Sequence, residues 1–334
     1  MVAEDKRPTL SIVVPVFNEE EALPRFFSVL KGVVDEACPE VEIIFVNDGS
    51  SDGTVELLGS LQEADERVVV VDLSRNFGHQ AALTAGIDVA RGEAVLTMDA
   101  DLEHPPDVIP QFLERWREGA EIVFGVRRTE QRVGAFKRLS SRLFYWLFGR
   151  VSDVDIATAS PDYRLMDRRA AEALRSMRER ARFLRGMARW IGFRTASVEF
   201  DPGQRAGGAS GYSLLKMTRF AFDGLLSFSK VPIRLTTLMG AFVSLSAFVY
   251  AGYAVYQLIA GHTVEGWTSI VVVLSLLSGV QLLALGMVGE YIGQVYDEVK
   301  RRPIYIVREV VRSETGRGKG LDPPAEIDNF VEKQ

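Results

Sequence analysis

The chain has 334 residues and a net charge of −6, and 47% of its residues are hydrophobic. This length allows one to three domains, and the acidic balance argues against a general nucleic-acid binder. The single cysteine, Cys38, excludes an intrachain disulfide, and the three histidines are too scattered for a zinc site. The N-terminus has no long apolar segment after its charges, so no cleaved signal peptide is expected.

The first half of the chain alternates apolar strands with helices. Strands are predicted at 10–16, 41–46, 68–73, 94–98 and 122–126, and helices at 18–37, after 52–54, at 81–90 and at 106–118. Asn18 is expected to cap the first helix, and Asp52 or Thr54 the second. Continuous apolar strands that alternate with helices indicate a sheet covered on both faces. The predicted fold is therefore α/β, with a doubly wound, mostly parallel sheet.

Acidic side chains follow several of these strands. Asp99 and Asp101 come directly after the fourth strand, where open α/β folds bind their ligands. Two carboxylates this close repel each other unless a cation lies between them, and Mg²⁺ or Mn²⁺ shared with a diphosphate is the natural candidate. Asp48, after the second strand, is suited to accept a hydrogen bond from a nucleotide base. The glycine fingerprints of dehydrogenases and P-loop proteins are absent.

Four ordered motifs carry a family resemblance. PVFNE (15–19), NDGSSDGT (47–54), SRNFGHQ (74–80) and DADLEHPP (99–106) resemble the family 2 glycosyltransferases, which have the GT-A fold. More narrowly, they are similar to the polyisoprenyl-phosphate glycosyltransferases, which include dolichol-phosphate mannose synthase and bacterial undecaprenyl-phosphate glucosyltransferases. The resemblance extends from about residue 10 to residue 310.

This resemblance implies an inverting enzyme that moves one sugar from a nucleotide-diphosphate sugar to a polyprenyl phosphate. UDP-glucose is the expected donor, and a GDP-mannose-using synthase is the alternative. The implied residues fall into four groups. They are the donor-binding Pro15, Phe17, Glu19, Asp48, Asp99 and Arg127; the ligands of Mg²⁺ or Mn²⁺, Asp99 and Asp101; the catalytic Asp101 and Asp162; and the acceptor-phosphate residues Arg205, Ser210 and Tyr212.

Asp162 begins a segment, DYRL, that resembles the family motif whose aspartate faces the acceptor. A phosphate monoester has a second pKa near 6 and arrives largely as a dianion, so it needs no strong base. Asp162 is therefore expected to orient the acceptor or its arginine partners and to remove a proton only at lower pH; an ordinary turn carboxylate is the other interpretation. Gly186 replaces a glutamine of polymerising relatives, which argues against a processive synthase. Gly211 replaces a common lysine and leaves the phosphate to Arg205.

The second half of the chain predicts a membrane protein. Basic amphipathic helices are predicted at 134–149 and 213–230; they suit either a membrane interface or, in the more usual case, packing against the core. Two charge-free apolar stretches, 235–260 and 266–289, are long enough at ~1.5 Å per residue to cross a hydrocarbon layer of about 30 Å. Lysine and arginine flank this pair but are absent from the loop between its members. The positive-inside rule then puts the catalytic domain and both termini in the cytoplasm, at the inner membrane.

The predicted organisation is a catalytic domain at 1–230, a two-helix membrane domain at 231–295, a cytoplasmic segment at 296–312 and a disordered tail at 313–334. A short strand is expected near 303–307, and the protein is expected to be a homo-oligomer. Two other functions remain open. A sugar nucleotidyltransferase would need a glycine-rich, arginine-bearing loop after the first strand, which is absent. A membrane-anchored binding protein without turnover is disfavoured by the intact Asp99, Asp101 and Asp162.

Overall fold

The computed structural model describes residues 8–38, 40–128, 162–180, 182–203, 231–261 and 266–313. Several predictions lie outside these residues. They are the basic helices at 134–149 and 213–230, the acceptor-loop residues Arg205, Ser210, Gly211 and Tyr212, and the tail beyond residue 313. The chain forms two compact units, of which one contains the sheet and the other contains residues 139–155 and 212–302.

The elements of the described chain follow one another in the predicted alternation. The strands are β1 (Leu10–Val16), β2 (Val41–Asn47), β3 (Val68–Leu73), β4 (Ala94–Thr97), β5 (Ile122–Arg127), β6 (Arg164–Asp167), β7 (Thr195–Phe200) and β8 (Val307–Val311). The helices are α1 (Leu23–Ala37), α2 (Thr54–Ala64), α3 (His79–Val89), α4 (Ile109–Arg117), α5 (Arg168–Ser176), α6 (Leu184–Trp190), α7 (Val231–Ile259) and α8 (Trp267–Val299). A short 3₁₀ helix, Pro106–Val108, precedes α4.

The strands of the first unit form one mixed sheet in the order β7-β5-β6-β4-β1-β2-β3-β8. β1 pairs in parallel with β2 and β4, and β2 pairs in parallel with β3. β6 is antiparallel to both β4 and β5, while β8 is antiparallel to β3 at the far edge. The carboxyl ends of β1, β2, β3 and β4 therefore lie along one edge of the sheet, as the sequence predicts.

Both faces of the sheet are covered by helices. Leu30 of α1, Leu58 of α2 and Phe112 of α4 belong to one buried cluster. Leu83 of α3 and Leu174 of α5 belong to the cluster on the other face. This arrangement explains why the central strands are apolar at most positions rather than alternating, with exceptions such as Ser11 and Glu42.

The start of α1 corrects one prediction. Asn18 does not cap this helix, because its backbone is left-handed, with φ of 54°. The helix instead begins at Leu23, whose amide donates to the carbonyl of Glu19, and Pro24 occupies its first turn. Proline suits this position since its missing N–H would have no intrahelical partner. At α2 the N-cap residue is Gly53, so neither Asp52 nor Thr54 occupies the predicted cap position; Asp52 Oδ1 instead accepts from the amide of Thr54, the first helical residue, at 3.1 Å.

Gly86 allows α3 to lie directly against β1 and β2. A Cβ atom at this position would be 2.2 Å from Val13 Cγ1 and 3.0 Å from Val46 Cγ2. Both valines are fully buried, so neither side chain has space to move away.

We expect Gly86→Ala to destabilise the protein by about 1–3 kcal/mol, the usual cost of an overpacked core. The matched control is Gly59→Ala in α2, where a Cβ would meet no atom within 4 Å. That change should stabilise the helix by roughly 0.5–1 kcal/mol. Thermal unfolding of the purified protein in detergent measures both; equal midpoints for the two variants would contradict the tight approach of α3.

The second unit contains two long helices, and α7 and α8 contact each other. Thr236 Oγ1 lies 3.6 Å from Met287 Sδ, for example. Within the described residues, one segment, Leu276–Val299, is long and apolar enough to cross a membrane by length and composition, and a shorter apolar segment covers Gly240–Tyr250. The predicted pair of helices is present, while a span in each remains a prediction.

Candidate active site

The loops that follow β1 and β2 hold each other by reciprocal hydrogen bonds. The amide of Asn18 donates to Ser50 Oγ at 3.0 Å, and the amide of Ser51 donates to Asn18 Oδ1 at 2.8 Å. Similarly, the amide of Gly53 donates to Glu20 Oε2 at 2.7 Å. These contacts explain why polar residues follow β1: they tie two strand ends together rather than cap α1.

Asp48 joins the end of β2 to the loop after β3. Its buried carboxylate accepts from the amides of Phe77 and Gly78, at 2.7 and 2.9 Å. Burial raises the pKa of Asp48 although these two amide hydrogen bonds oppose the rise. Next to it, Gly49 has φ of +69°, and a Cβ there would lie 2.5 Å from the carbonyl carbon of Arg75. The two loops are thus in close contact, and a role for Asp48 in base recognition remains a prediction.

The carboxylates after β4 lie in a turn that ends at His104. Asp101 Oδ1 accepts from the amide of Glu103 at 2.9 Å, and the amide of Asp99 donates to His104 Nδ1 at 2.9 Å. Burial raises the pKa of Asp99 to about 6, and the charges of Asp162 and Asp101 add to the rise against the opposing effect of His79. Asp99 and Asp101 therefore share a turn with a fixed backbone.

His104 is a neutral, structural residue. Its side chain is fully buried, and its ring stacks on Tyr163 with centroids 5.0 Å apart. Burial lowers the pKa of His104 to about 3, so the 3.4 Å approach of Nδ1 to Asp99 Oδ2 is not an ion pair at neutral pH. Because Nδ1 accepts a hydrogen bond from an amide, the ring proton lies on Nε2. His104 thus shapes the turn and is not a metal ligand through Nδ1.

Asp162 is the most strongly bonded carboxylate of the site. It is buried just before β6, and its carbonyl accepts from Thr97 Oγ1 at 2.6 Å, which fixes it beside the end of β4. Its carboxylate forms ion pairs with Arg164 and with Arg185, the latter at 2.9 Å, and accepts from Gln80 Nε2 at 3.1 Å. A turn carboxylate that only caps a strand would not require two arginines.

The charges around Asp162 determine its ionisation. Burial by itself would raise the pKa of Asp162, but the hydrogen bond from His79 and the charges of Arg164 and Arg185 hold it well below its usual range. The carboxylate is therefore ionised at every physiological pH and is a weak base. Arg164 is fully buried, and burial lowers the pKa of its guanidinium, which nevertheless remains protonated.

His79 lies between the two carboxylate groups. Its Nε2 atom is 3.5 Å from Asp99 Oδ1 and also 3.5 Å from Asp162 Oδ2. Burial would lower the pKa of His79, but the hydrogen bond to Asp162 and the negative charges of Asp99 and Asp162 raise it overall. Residues that the sequence assigns separately to donor and acceptor thus meet at one imidazole.

The remaining predicted donor residues lie at the same sheet edge or close to it. Phe17, directly after β1, is 45% exposed, whereas Pro15 is buried within that strand. The amide of Glu19 donates to Thr54 Oγ1 at 3.0 Å. Arg127, at the end of β5, forms an ion pair with Glu103 at 2.6 Å. Their contact with a donor remains a prediction.

The sequence did not single out four of the residues that build this site. His79 and Gln80 belong to the SRNFGHQ motif, and Arg164 and Arg185 belong to the segments around Asp162 and Gly186, but none was assigned a role. A signal was present, since polar residues at the start of α3 and α6 face the same sheet edge as the strand-end carboxylates. Only the three-dimensional structure shows that all four residues contact Asp162.

The residues present fit a divalent cation shared with a diphosphate. Asp99 Oδ1 is buried and makes no hydrogen bond in the described part of the chain. Within that part, no group of three or more histidine, cysteine or acidic residues has the geometry of a complete metal site. This combination suits Mg²⁺ or Mn²⁺, which bind through one or two carboxylates and take their other ligands from substrate phosphates and water.

Comparison with known proteins identifies the family of this chain. Residues 11–175 match glycosyl transferase family 2. The chain is 41% identical over 300 residues to an uncharacterized glycosyltransferase of Bacillus subtilis, covering 90% of this chain and 93% of that protein. It is 40% identical over 301 residues to the SfII prophage-derived bactoprenol glucosyl transferase of Shigella flexneri, covering 90% and 97%.

Among solved structures, glucosyl-3-phosphoglycerate synthase from Mycobacterium tuberculosis covers 66% of this chain and 79% of its own, with a TM-score of 0.46 and 20% identity. At that distance the likeness bears on neither substrate nor metal.

The chain is a sugar-transferring enzyme and belongs to glycosyl transferase family 2. Within that family it resembles the bactoprenol glucosyl transferases along nine-tenths of its length. The two other functions left open by the sequence, a nucleotidyltransferase and a binding protein without turnover, are thereby set aside.

Proposed function

We propose that this enzyme transfers glucose from UDP-glucose to a polyprenyl phosphate, with inversion at the anomeric carbon, at the cytoplasmic face of a membrane. The observation that carries the proposal is the meeting of Asp99 and Asp162 at His79, each 3.5 Å from its Nε2 atom. A donor-side and an acceptor-side carboxylate at one point suit a reaction in which both substrates meet in line. The names of the bactoprenol glucosyl transferases support glucose and a lipid carrier.

On the donor side, the loops after β1, β2 and β3 are hydrogen-bonded to one another and would bind the nucleoside. Asp99 and Asp101 would hold the divalent cation. When bound, that cation supplies charge for the departing diphosphate. Arg127 forms an ion pair with Glu103, a residue of the same turn, and would add positive charge at that turn. The protein's own task at this end is to fix the diphosphate so that its bond to the anomeric carbon points away from the acceptor.

On the acceptor side, a phosphate oxygen forms the new bond to the anomeric carbon while the bond to the diphosphate breaks. The acceptor is already an anion at neutral pH, so the site has to supply positive charge rather than a strong base. Arg185 suits this task because its side chain is 43% exposed while Asp162 anchors one of its nitrogens at 2.9 Å. Asp162 would orient Arg185 and His79 rather than accept the proton, and the predicted Arg205 would add a second cation.

Membrane attachment is supported by the surface of the helical unit. Apolar side chains on α7 and α8 are exposed in the isolated chain; among them are Phe242 at 72%, Phe248 at 74% and Leu276 at 68%. Many exposed large apolar side chains on two helices are typical of contact with lipid or a partner. β7 and β8 lie in the same sheet although α7 and α8 separate them in sequence. Any membrane crossings between β7 and β8 must therefore be even in number.

A transfer assay with membranes that contain the enzyme tests the proposal. Radiolabelled UDP-glucose, UDP-galactose, UDP-N-acetylglucosamine and GDP-mannose are offered in turn, and label is counted in the lipid phase. We expect UDP-glucose to be the preferred donor and the product to carry the opposite anomeric configuration. Preference for GDP-mannose would replace the proposed donor, and retention of configuration would exclude the single displacement.

The topology gives a separate prediction. A cysteine introduced at Thr263, which lies between α7 and α8 in sequence, should react with a membrane-impermeant maleimide in intact cells, since both helices would cross the membrane. Ser176→Cys, exposed on the catalytic unit, is the matched control and should react only after permeabilisation. The native Cys38 is buried and should add little background. Labelling at Thr263 that also requires permeabilisation would contradict the two-span arrangement.

A further inference from the structure

β8, the strand that follows α8 in sequence, belongs to the catalytic sheet and lies beside the loop after β3. The loops after β1, β2 and β3 are called the donor loops below. β8 pairs antiparallel with β3, and the amide of Ser74 donates to the carbonyl of Ile306 at 2.9 Å. Ser74 opens the SRNFGHQ loop, which continues through Phe77 and Gly78, the partners of Asp48. A segment more than 200 residues away in sequence thus contacts the base of this loop.

Arg308 of β8 makes two contacts at this place. Its Nη1 atom lies 2.8 Å from Asp72 Oδ2, and its Nη2 atom donates to the carbonyl of Ser74 at 3.1 Å. Asp72 Oδ1 in turn accepts from Asn47 Nδ2 at 2.7 Å. One planar guanidinium therefore spans the carboxylate at the end of β3 and the first carbonyl of the loop beyond it, a geometry that lysine cannot reproduce.

The chain of contacts continues into the loop after β2. Asn47 is buried, and its Oδ1 atom accepts from the amide of Ser50 at 3.1 Å. Ser50 is also the residue that accepts from the amide of Asn18. A continuous series of hydrogen bonds through Asp72 and Asn47 thus connects Arg308 to the loops after β1, β2 and β3.

We propose that Arg308 is a positioning residue for the donor nucleotide, which it serves from outside the binding site by fixing the loops after β2 and β3. The inference rests on the proposed function, because it assumes that these loops hold the nucleoside. Arg308 is 60% exposed and its ion pair contributes little to global stability, since exposed pairs are weak. Its effect is expected in donor affinity.

Arg312, the residue directly after β8, provides a matched control. Its Nη1 atom lies 3.1 Å from Glu42 Oε2, and its Nη2 atom donates to the carbonyl of Val89 at 2.8 Å. Glu42 lies near the start of β2, so Arg312 pairs with the sheet at the end opposite to the donor loops. Arg312 is also less exposed than Arg308, at 21% against 60%. Its removal should therefore disturb the fold at least as much.

The experiment measures UDP binding by calorimetry, together with KM for UDP-glucose, on full-length enzyme in detergent. We expect Arg308→Ala to weaken UDP binding and to raise the donor KM by about tenfold, within the range of couplings between contacting residues. Its kcat, its acceptor KM and its thermal midpoint should stay close to those of the wild type. Arg308→Lys should recover part of the loss, and Arg312→Ala should leave UDP binding unchanged.

A double-mutant cycle tests whether Arg308 acts on UDP binding through Asp72. Asp72→Asn should weaken UDP binding, and adding it to Arg308→Ala should cause little further loss if both act through one contact. Equal UDP affinity in Arg308→Ala and Arg312→Ala would overturn the inference while leaving the proposed function intact. A wild-type enzyme that binds no UDP would overturn the proposed function and this inference with it.

Discussion

We expect Asp162→Asn to lose activity by about a hundredfold or more, the scale on which a misplaced catalytic group slows a reaction. The carboxylate holds Arg164 and Arg185 and lies 3.5 Å from His79, so its neutralisation would release Arg185, the exposed cation that we propose for the acceptor phosphate. The loss should not shrink from pH 6 to pH 9. Because its pKa is held well below the usual range, Asp162 stays ionised across that interval and its charge does not change with pH.

The pH profile distinguishes two roles of Asp162. If the carboxylate removed a residual proton from the acceptor, the deficit of Asp162→Asn would shrink above the second phosphate pKa, near 6. A deficit that shrinks in this way would contradict the positioning role, and an enzyme of full activity would leave Asp162 as a turn residue. The measurement is the ratio of variant to wild-type kcat/KM at each pH.

Asp162→Asn also leaves the buried Arg164 without its anionic partner, a change that commonly costs about 3–5 kcal/mol. A variant that leaves the ion pair of Asp162 with Arg164 in place therefore completes the test. Arg185→Ala does so and removes only the more exposed partner. We expect it to raise the acceptor KM strongly with a near-normal thermal midpoint. An unchanged acceptor KM would exclude Arg185 from phosphate binding.

The second large effect is expected at Asp101. Asp101→Asn should keep the fold, because asparagine Oδ1 can still accept from the amide of Glu103, the contact that Asp101 Oδ1 makes at 2.9 Å. It should lower transfer by roughly a thousandfold, since a catalytic metal contributes several kcal/mol to the transition state. Asp107→Asn, an exposed residue of the same segment, is the matched control and should retain activity.

Metal titration gives a readout of Asp101 that does not depend on turnover. UDP affinity of the wild type and of Asp107→Asn should increase as Mn²⁺ or Mg²⁺ is added. Asp101→Asn should lose most of this increase in affinity. Full activity of Asp101→Asn in the presence of a chelator would refute the assignment. A wild-type affinity for UDP that is independent of both metals would remove the cation from the proposal.

The sequence by itself determined the α/β sheet and the position of its acidic edge. Apolar strands such as Leu10–Val16 and Val68–Leu73 were predicted with their observed bounds, because a strand buried on both faces is apolar at most of its residues. Asp99 and Asp101 were predicted at the end of β4, since parallel strands place their carboxyl ends along one edge. These features depend on local patterns that a linear sequence carries in full.

Only the tertiary structure decided how that edge is held together. The sequence predicts Asn18 as a helix cap, yet its side chain accepts a hydrogen bond from Ser51 in the loop after β2. The sequence could not show this contact, because the two residues are distant along the chain and become neighbours only in the fold. His79 meets both Asp99 and Asp162, and Arg308 reaches Asp72 from the far end of the chain. No periodicity encodes such pairs. Each depends on strand order, which places β8 beside β3 and β6 beside β4, and that order is set by the packing of the whole sheet.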